Sequence, residues 1–267
     1  MKLITDNCIL FTSALYQTNS TLIDLGDKIL LVDPSWLPEE INAIKNYIQQ
    51  NYQDKTLWIL ITHFDYDHVW GVPAFPDAKI IAPSLEGLEH LGDKCLHQWK
   101  QWDQEHYINR PYLPSLPVPE FTLAESPSLI WNEYTLYFYH APGHTADSYC
   151  CVIEPEGILI AGDYLCDVEI PWMGDSLISY KRTLEQFNEL IEKHKISICI
   201  PGHGSIITNQ KGIKERIEAG LKYLQLLSDN IVESENTIRQ LISQYPFPLA
   251  SQDIHELNKK FVVNNVS

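Results

Sequence analysis

Four side chains able to ligate a metal fall within six residues: His63, Asp65, Asp67 and His68, in the run Thr62-His63-Phe64-Asp65-Tyr66-Asp67-His68-Val69-Trp70-Gly71. Alternate residues of an extended segment share a side, so His63, Asp65 and Asp67 can point together. His68 can then turn toward a second ion, and the aromatics between the ligands can wedge the loop in place. Imidazole and carboxylate donors suit zinc, iron or manganese. The plain alternative is a polar surface loop that happens to be rich in Asp and His. Three further segments argue against it. Pro142-Gly143-His144-Thr145, Gly162-Asp163 and Pro201-Gly202-His203-Gly204 each set a His or Asp beside Gly, just after an apolar run. Glycine lets the backbone approach closely and take φ above zero. Four strand ends that each present a ligand can converge on one edge of a β-structure. His90, His97, His106, His140, His194 and His255 lie outside these segments and read as ordinary.

The elements that must position these residues are legible in outline. Strands are expected at Cys8–Ser13, Ser20–Leu25 and Lys28–Val32, with Gly26-Asp27 as a hairpin turn. Leu37–Gln50 carries Ile41, Ile44 and Ile48 at helical spacing. Thr56–Ile61 is a buried strand that opens into the polar Thr62-His63 loop, and Lys79–Ala82 is the next strand. Ser84–Leu91 reads as a helix. Residues 93–126 read as an insertion, partly helical and then irregular, because its prolines exclude a central strand. Strands resume at Leu129–Trp131, Tyr134–His140, Tyr149–Ile153 and Gly157–Ala161. A helix follows at Ser179–His194 and a strand at Ile196–Ile200. Lys211 to about Tyr245 is helical by period, with C-terminal helices over about 209–245, and the polar end should fray. One domain over 1–267 is expected, with no internal repeat.

Bulk composition removes several function classes. The formal net charge is −16, with Lys and Arg scattered singly or in pairs, which disfavours nucleic acid as a partner. No run of 18 apolar residues is present to span a membrane. The N-terminal residues do not read as a secretory signal. Six scattered cysteines without a C-x-x-C pair then suggest free thiols in the cytoplasm. Composition fixes no oligomeric state.

The four segments together resemble the metallo-β-lactamase superfamily, whose pattern is His-x-His-x-Asp-His, then Gly-His, Gly-Asp and Gly-His. The resemblance runs from about Ser20 to Gly204 and includes the Leu31-Val32-Asp33 strand end. It implies an α+β fold, a four-layer αββα sandwich with two metals at one edge. By position, His63, Asp65 and His144 would hold one ion. Asp67, His68 and His203 would hold the other, and Asp163 would bridge them. The implied activity is hydrolysis of an ester, thioester, lactone or phosphodiester bond of a small molecule by a bridging hydroxide. Asp67 would be catalytic, orienting the nucleophile and accepting its proton. Zinc is the expected metal pair. The chain departs from the pattern at Asp65, where the family has His, and this carboxylate admits iron or manganese. The flavodiiron oxygen reductases, a related branch, carry Glu there, so a di-iron redox or oxygen-binding protein is the alternative. Thr62 and Thr145 are candidates to orient the ligands. Tyr164, Cys166, Trp172 and Met173 can line a pocket, and Trp99, Trp102 and Tyr107 a lid, although packing is the expected role of each. A small, partly aromatic or apolar substrate fits best.

Overall fold

A computed structural model describes residues 1–86, 89–124, 127–229 and 232–265. The chain divides into two units, Met1–Phe138 and Tyr139–Ser267.

The first unit is built on a seven-stranded sheet of order β1 to β7. Strands β1 (Lys2–Thr5), β2 (Cys8–Thr12), β3 (Asn19–Asp24) and β4 (Lys28–Val32) are antiparallel neighbours. The β3–β4 turn holds Gly26 at φ +83°, as the Gly26-Asp27 reading requires. Strands β5 (Thr56–Leu60), β6 (Lys79–Ala82) and β7 (Phe121–Thr122) then continue in parallel from β4. A parallel step needs a crossover, and helix α1 (Pro38–Asn51) supplies it between β4 and β5. Pro38 opens α1, Glu39 and Glu40 occupy its positive first turn, and Ile41, Ile44 and Ile48 face inward. Full burial of each such side chain stabilises by about 1.5–3 kcal/mol. They join a core that includes Leu31, Trp36, Ile59, Trp70 and Trp99.

Between β6 and β7 the chain departs from expectation. Helix α3 runs over Glu89–Glu105, not over Ser84–Leu91, of which residues 87–88 lie outside the described ones. Its buried face is Gly92, Cys95 and Trp99, a spacing of three and four that the intervening charges obscured. Residues 106–120 carry no regular element, and β7 follows Pro119 at the sheet's edge, where missing amide donors are tolerated. Residues 125–126 of the expected insertion lie outside the described ones. Trp99 is fully buried, so it belongs to the core and not to a lid, whereas Tyr107 is exposed.

A second sheet takes the order β12-β11-β10-β9-β8. Its first hairpin is β8 (Ser128–Trp131) with β9 (Tyr134–His140), and the boundary between the units falls inside β9. Strands β10 (Tyr149–Glu154) and β11 (Ile158–Gly162) are antiparallel. Helix α4 (Leu177–His194) carries the chain from β11 to the parallel β12 (Ile198–Pro201). Ser176 Oγ accepts from Ser179 N at 3.2 Å to cap α4, and Lys195 ends it in the left-handed region at φ 51°. Cys150 and Cys151, adjacent on β10, are both buried.

The expected helical stretch after Lys211 is α5 (Gln210–Asp229) and α6 (Val232–Ile242), with residues 230–231 outside the described ones. The described part of the C-terminal segment is helical where fraying was expected. It forms a seventh helix, α7 (Pro248–Asn265), after the four-residue α2 (Tyr66–Val69) and the others. Average hydropathy hid this because α7 buries polar residues: Ser251, His255 and Asn258 are all solvent-inaccessible. Asn258 Nδ2 donates to Pro171 O at 2.7 Å and Tyr223 Oη at 2.8 Å, and its Oδ1 accepts from Met173 N at 3.0 Å. Replacing Asn258 by Ala strands those partners, which costs about 1–3 kcal/mol for each buried group left unpaired. Asn258→Ala is expected to lower the midpoint of thermal unfolding by several degrees, read by circular dichroism. A frayed C-terminus would give no change.

Candidate metal centre

The first ligand cluster is set by the ends of β4 and β5. Asp33, the first residue after β4, is buried and holds the left-handed φ of 45°. Its backbone N–H donates to Leu60 O at 3.0 Å, so its carboxylate sits beside the start of the ligand loop. Oδ1 accepts from Thr62 N at 2.8 Å, and Oδ2 accepts from Thr62 Oγ1 at 2.7 Å. His68 Nδ1 lies 3.0 Å from the same Oδ2. A carboxylate only accepts, so His68 carries its proton on Nδ1. Thr62 has spent its one hydroxyl proton on Asp33, so at 3.0 Å its oxygen accepts from His63 Nδ1. Both imidazoles therefore present a bare Nε2. Their rings stand 4.2 Å apart, centroid to centroid.

The carboxylates complete this cluster. Asp65 Oδ2 is 3.9 Å from His63 Nε2, and Asp67 Oδ2 is 3.7 Å from His68 Nε2. Thr18 Oγ1 donates to Asp67 Oδ2 at 3.2 Å. The loop is not extended throughout, as the spacing of two suggested. Asp65 precedes the short helix α2, which carries Asp67 and His68. Phe64 is buried in the core, and Tyr66 packs on Trp36 and Trp70 at 5.7 and 4.9 Å, so the aromatics do wedge the loop. Gly71 then permits a close approach, since a Cβ there would lie 2.3 Å from Pro34 O.

The second cluster comes from three strand ends of the second unit. His144 follows β9, Asp163 follows β11 and His203 follows β12. His144 Nδ1 lies 3.2 Å from Trp172 O, an acceptor only, so a metal held at Nε2 would leave the proton on Nδ1. His144 Nε2 and His203 Nε2 lie 3.2 and 3.1 Å from one oxygen, Asp163 Oδ2. Gly143 makes the turn possible: its φ is +127°, and a Cβ would lie 2.3 Å from the Tyr180 backbone. Tyr164 Oη accepts from His144 N at 2.9 Å and donates to Ala141 O at 2.7 Å. Burial pushes the Tyr164 hydroxyl well above its usual range, so it keeps the proton it donates. Thr145 bonds Ser148 Oγ at 2.7 Å and does not orient a ligand, unlike Thr62.

Glu169 was not among the expected ligands, yet Asp163, Glu169 and His203 have ligand atoms within 4.8 Å of one another. Its position in an irregular loop after β11 gave no signal. Burial, reinforced by Glu169 and Asp163, pushes the Cys166 thiol well above the ordinary range.

The donor chemistry fits divalent ions. Ligand atoms around a tetrahedral ion with bonds of about 2.1 Å lie about 3.4 Å apart, and the pairs above span 3.1 to 3.9 Å. Carboxylates or carbonyls behind ligating histidines, such as Asp33 and Trp172 O, are what fixes a ring for a metal. Asp33→Asn removes one acceptor and adds a donor against Thr62 and His68. It is expected to weaken zinc binding about 10–100-fold, measured by chelator competition, while far-ultraviolet circular dichroism is unchanged. Unaltered zinc affinity would refute this role for Asp33.

The model of the metallo-beta-lactamase superfamily matches residues 14–209. The chain is 25% identical over 227 residues to a lactamase-like protein of Pestalotiopsis fici, covering 85% of this chain and 62% of that protein. It is 23% identical over 197 residues to an atrochrysone carboxyl ACP thioesterase of Emericella nidulans, covering 72% of this chain and 53% of that one. The chain thus spans less than two thirds of the length of either relative. A solved metallo-beta-lactamase from Pontibacter korlensis superposes with a TM-score of 0.60 at 18% identity, covering 84% of this chain and 97% of that one. The α+β fold expected from the motifs is therefore found, and the chain belongs to the metallo-beta-lactamase superfamily.

Proposed function

We propose that the chain is a metallo-hydrolase whose two ligand clusters act as one dinuclear centre within a single functional domain. One ion would be held by His63, Asp65 and His144, the other by Asp67, His68 and His203, with Asp163 shared. One observation carries this reading. Three buried imidazoles, His63 and His68 on the segment after β5 and His144 after β9, each have Nδ1 within 3.0 to 3.2 Å of an anchoring oxygen and Nε2 beside a carboxylate. Two divalent cations bound there would supply Lewis acidity, lowering the pKa of water toward neutrality and polarising the bond to be cleaved.

The protein's own groups do the rest. Asp67, held by Thr18, orients the attacking water and takes its proton. Thr62 and Asp33 keep the imidazoles from turning. The substrate is a small molecule with an ester, thioester, lactone or phosphodiester bond. The thioesterase relative favours the acyl bonds among these. Net charge −16 disfavours a polyanion. Zinc is the proposed metal. The six cysteines are free thiols, five of them buried, which suits the reducing cytoplasm. Asp65 favours a second reading, a di-iron redox or oxygen-binding protein.

Metal analysis of the purified protein beside Asp65→His separates the two. Two zinc or manganese ions per chain, with ester or thioester turnover lost on chelation and restored by the ion, is the expected result. Two irons per chain that revert toward zinc in Asp65→His, with no hydrolysis, would establish the redox reading instead. An absence of bound metal in both would overturn the centre.

A further inference from the structure

Away from the metal ligands, three side chains of the second unit are strung together around the phenol of Tyr139, and a cation joins them. Tyr139, near the end of β9, sets its hydroxyl 2.6 Å from His194 Nε2. His194, the last residue of α4, sets Nδ1 2.7 Å from Glu154 Oε1 at the end of β10. Lys193 Nζ donates to Tyr139 Oη at 2.9 Å. The Glu154 carboxylate only accepts, so Nδ1 carries a proton, and in the neutral imidazole Nε2 is left to accept from the Tyr139 hydroxyl. Phenol, imidazole and carboxylate thus stand in series: a nucleophile, a base within reach of its proton, and an acid that orients the base. The Lys193 ammonium is placed to hold negative charge on the phenol oxygen as the proton leaves.

A second Tyr–His–Glu set in the same unit shows what is particular to this one. Tyr223 Oη lies 3.1 Å from His255 Nδ1, and His255 Nε2 lies 3.1 Å from Glu235 Oε2. There the donor to the phenol oxygen is a neutral amide, Asn258 Nδ2 at 2.8 Å, and Tyr223 is wholly buried. Burial pushes the Tyr223 hydroxyl well above its usual range. That set ties helices together. Around Tyr139 both bonds are shorter and the donor is a cation. Solvent also reaches the site, since Tyr139 and Glu154 are partly exposed while His194 is buried. The site is remote from the ligand turn of His144. Thr183 Oγ1 donates to Pro142 O at 2.8 Å beside that turn, and residues 183 to 194 of α4 span about 16 Å.

We propose that Tyr139 is a nucleophile that accepts an acyl group from an activated acyl donor, such as an aryl ester or an acyl phosphate, at a site separate from the metal centre. The phenol oxygen attacks the acyl carbon, and its proton passes to His194 Nε2. An O–C bond forms on Tyr139 as the bond to the leaving group breaks. His194 returns the proton to the leaving group, so the products are acyl-tyrosine and the protonated leaving group. Glu154 steadies the transient imidazolium. This site does not depend on the hydrolase reading.

Acetylation of the full-length protein by N-acetylimidazole at neutral pH tests this, with each tyrosine followed by mass spectrometry of its peptide. Tyr107, 93% exposed, is the internal standard, because exposure alone would make it the faster of the two. Tyr139 is expected to react about tenfold faster than Tyr107, or more, through the neighbouring base. His194→Gln should bring Tyr139 to the Tyr107 rate or below it, and Glu154→Gln should slow Tyr139 severalfold. Circular dichroism checks the fold of each variant. Glu154 lies at the surface, so its variant keeps the test decisive if His194→Gln does not fold. A wild-type Tyr139 no faster than Tyr107 overturns the proposal. So does an advantage that either folded variant leaves unaltered.

Discussion

The carboxylate of Asp33 is the fixed point of the first ligand cluster. It accepts three hydrogen bonds, from Thr62 N, Thr62 Oγ1 and His68 Nδ1. That one buried charge clamps the end of β5 to the end of β4 and holds His68 in one tautomer. By consuming the Thr62 proton, it also dictates the tautomer of His63. A buried carboxylate is costly unless it is hydrogen-bonded on every side. The same bonds that make Asp33 tolerable therefore orient the two imidazoles. A metal arriving at such a site need not order its ligands, and that preorganisation converts into affinity.

The second unit reaches the same end with backbone rather than with an acid. Trp172 O fixes the His144 ring, Tyr164 Oη holds the His144 amide, and Gly143 lets its turn lie against Tyr180. These contacts link the loop after β9 to the loop after β11 and to the start of α4. Asn258 extends the support outward, tying α7 to Pro171 and Met173 on either side of Trp172. A polar helix at the C-terminus thus braces a carbonyl that braces a ligand.

Much of this was legible in the sequence. β4, β6 and β9 match their expected bounds, because each is an apolar run closed by a turn or a polar residue. The candidate ligands were legible because each follows such a run beside Gly or within a dense His/Asp segment. Asp33 was visible as the end of the Leu31-Val32-Asp33 strand in the resemblance, but nothing in its neighbours announced its partners 29 and 35 residues onward. Glu169 sits in a loop, where no period constrains where a side chain points. Helix α3 was misplaced and α7 was missed for a related reason. Each buries small or polar residues, Gly92 in one and Ser251, His255 and Asn258 in the other, and hydropathy does not register these as a face.

The claim on which the rest depends is that the protein chooses the imidazole tautomers before any metal arrives. It is tested most directly by two-bond ¹H–¹⁵N correlation spectra of metal-free protein labelled with ¹⁵N-histidine. His63, His68 and His144 should each show the Nδ1–H tautomer, with an unprotonated Nε2 whose shift moves on adding zinc. An Nε2–H tautomer at His68, or an Nε2 that zinc leaves unmoved, would contradict the account.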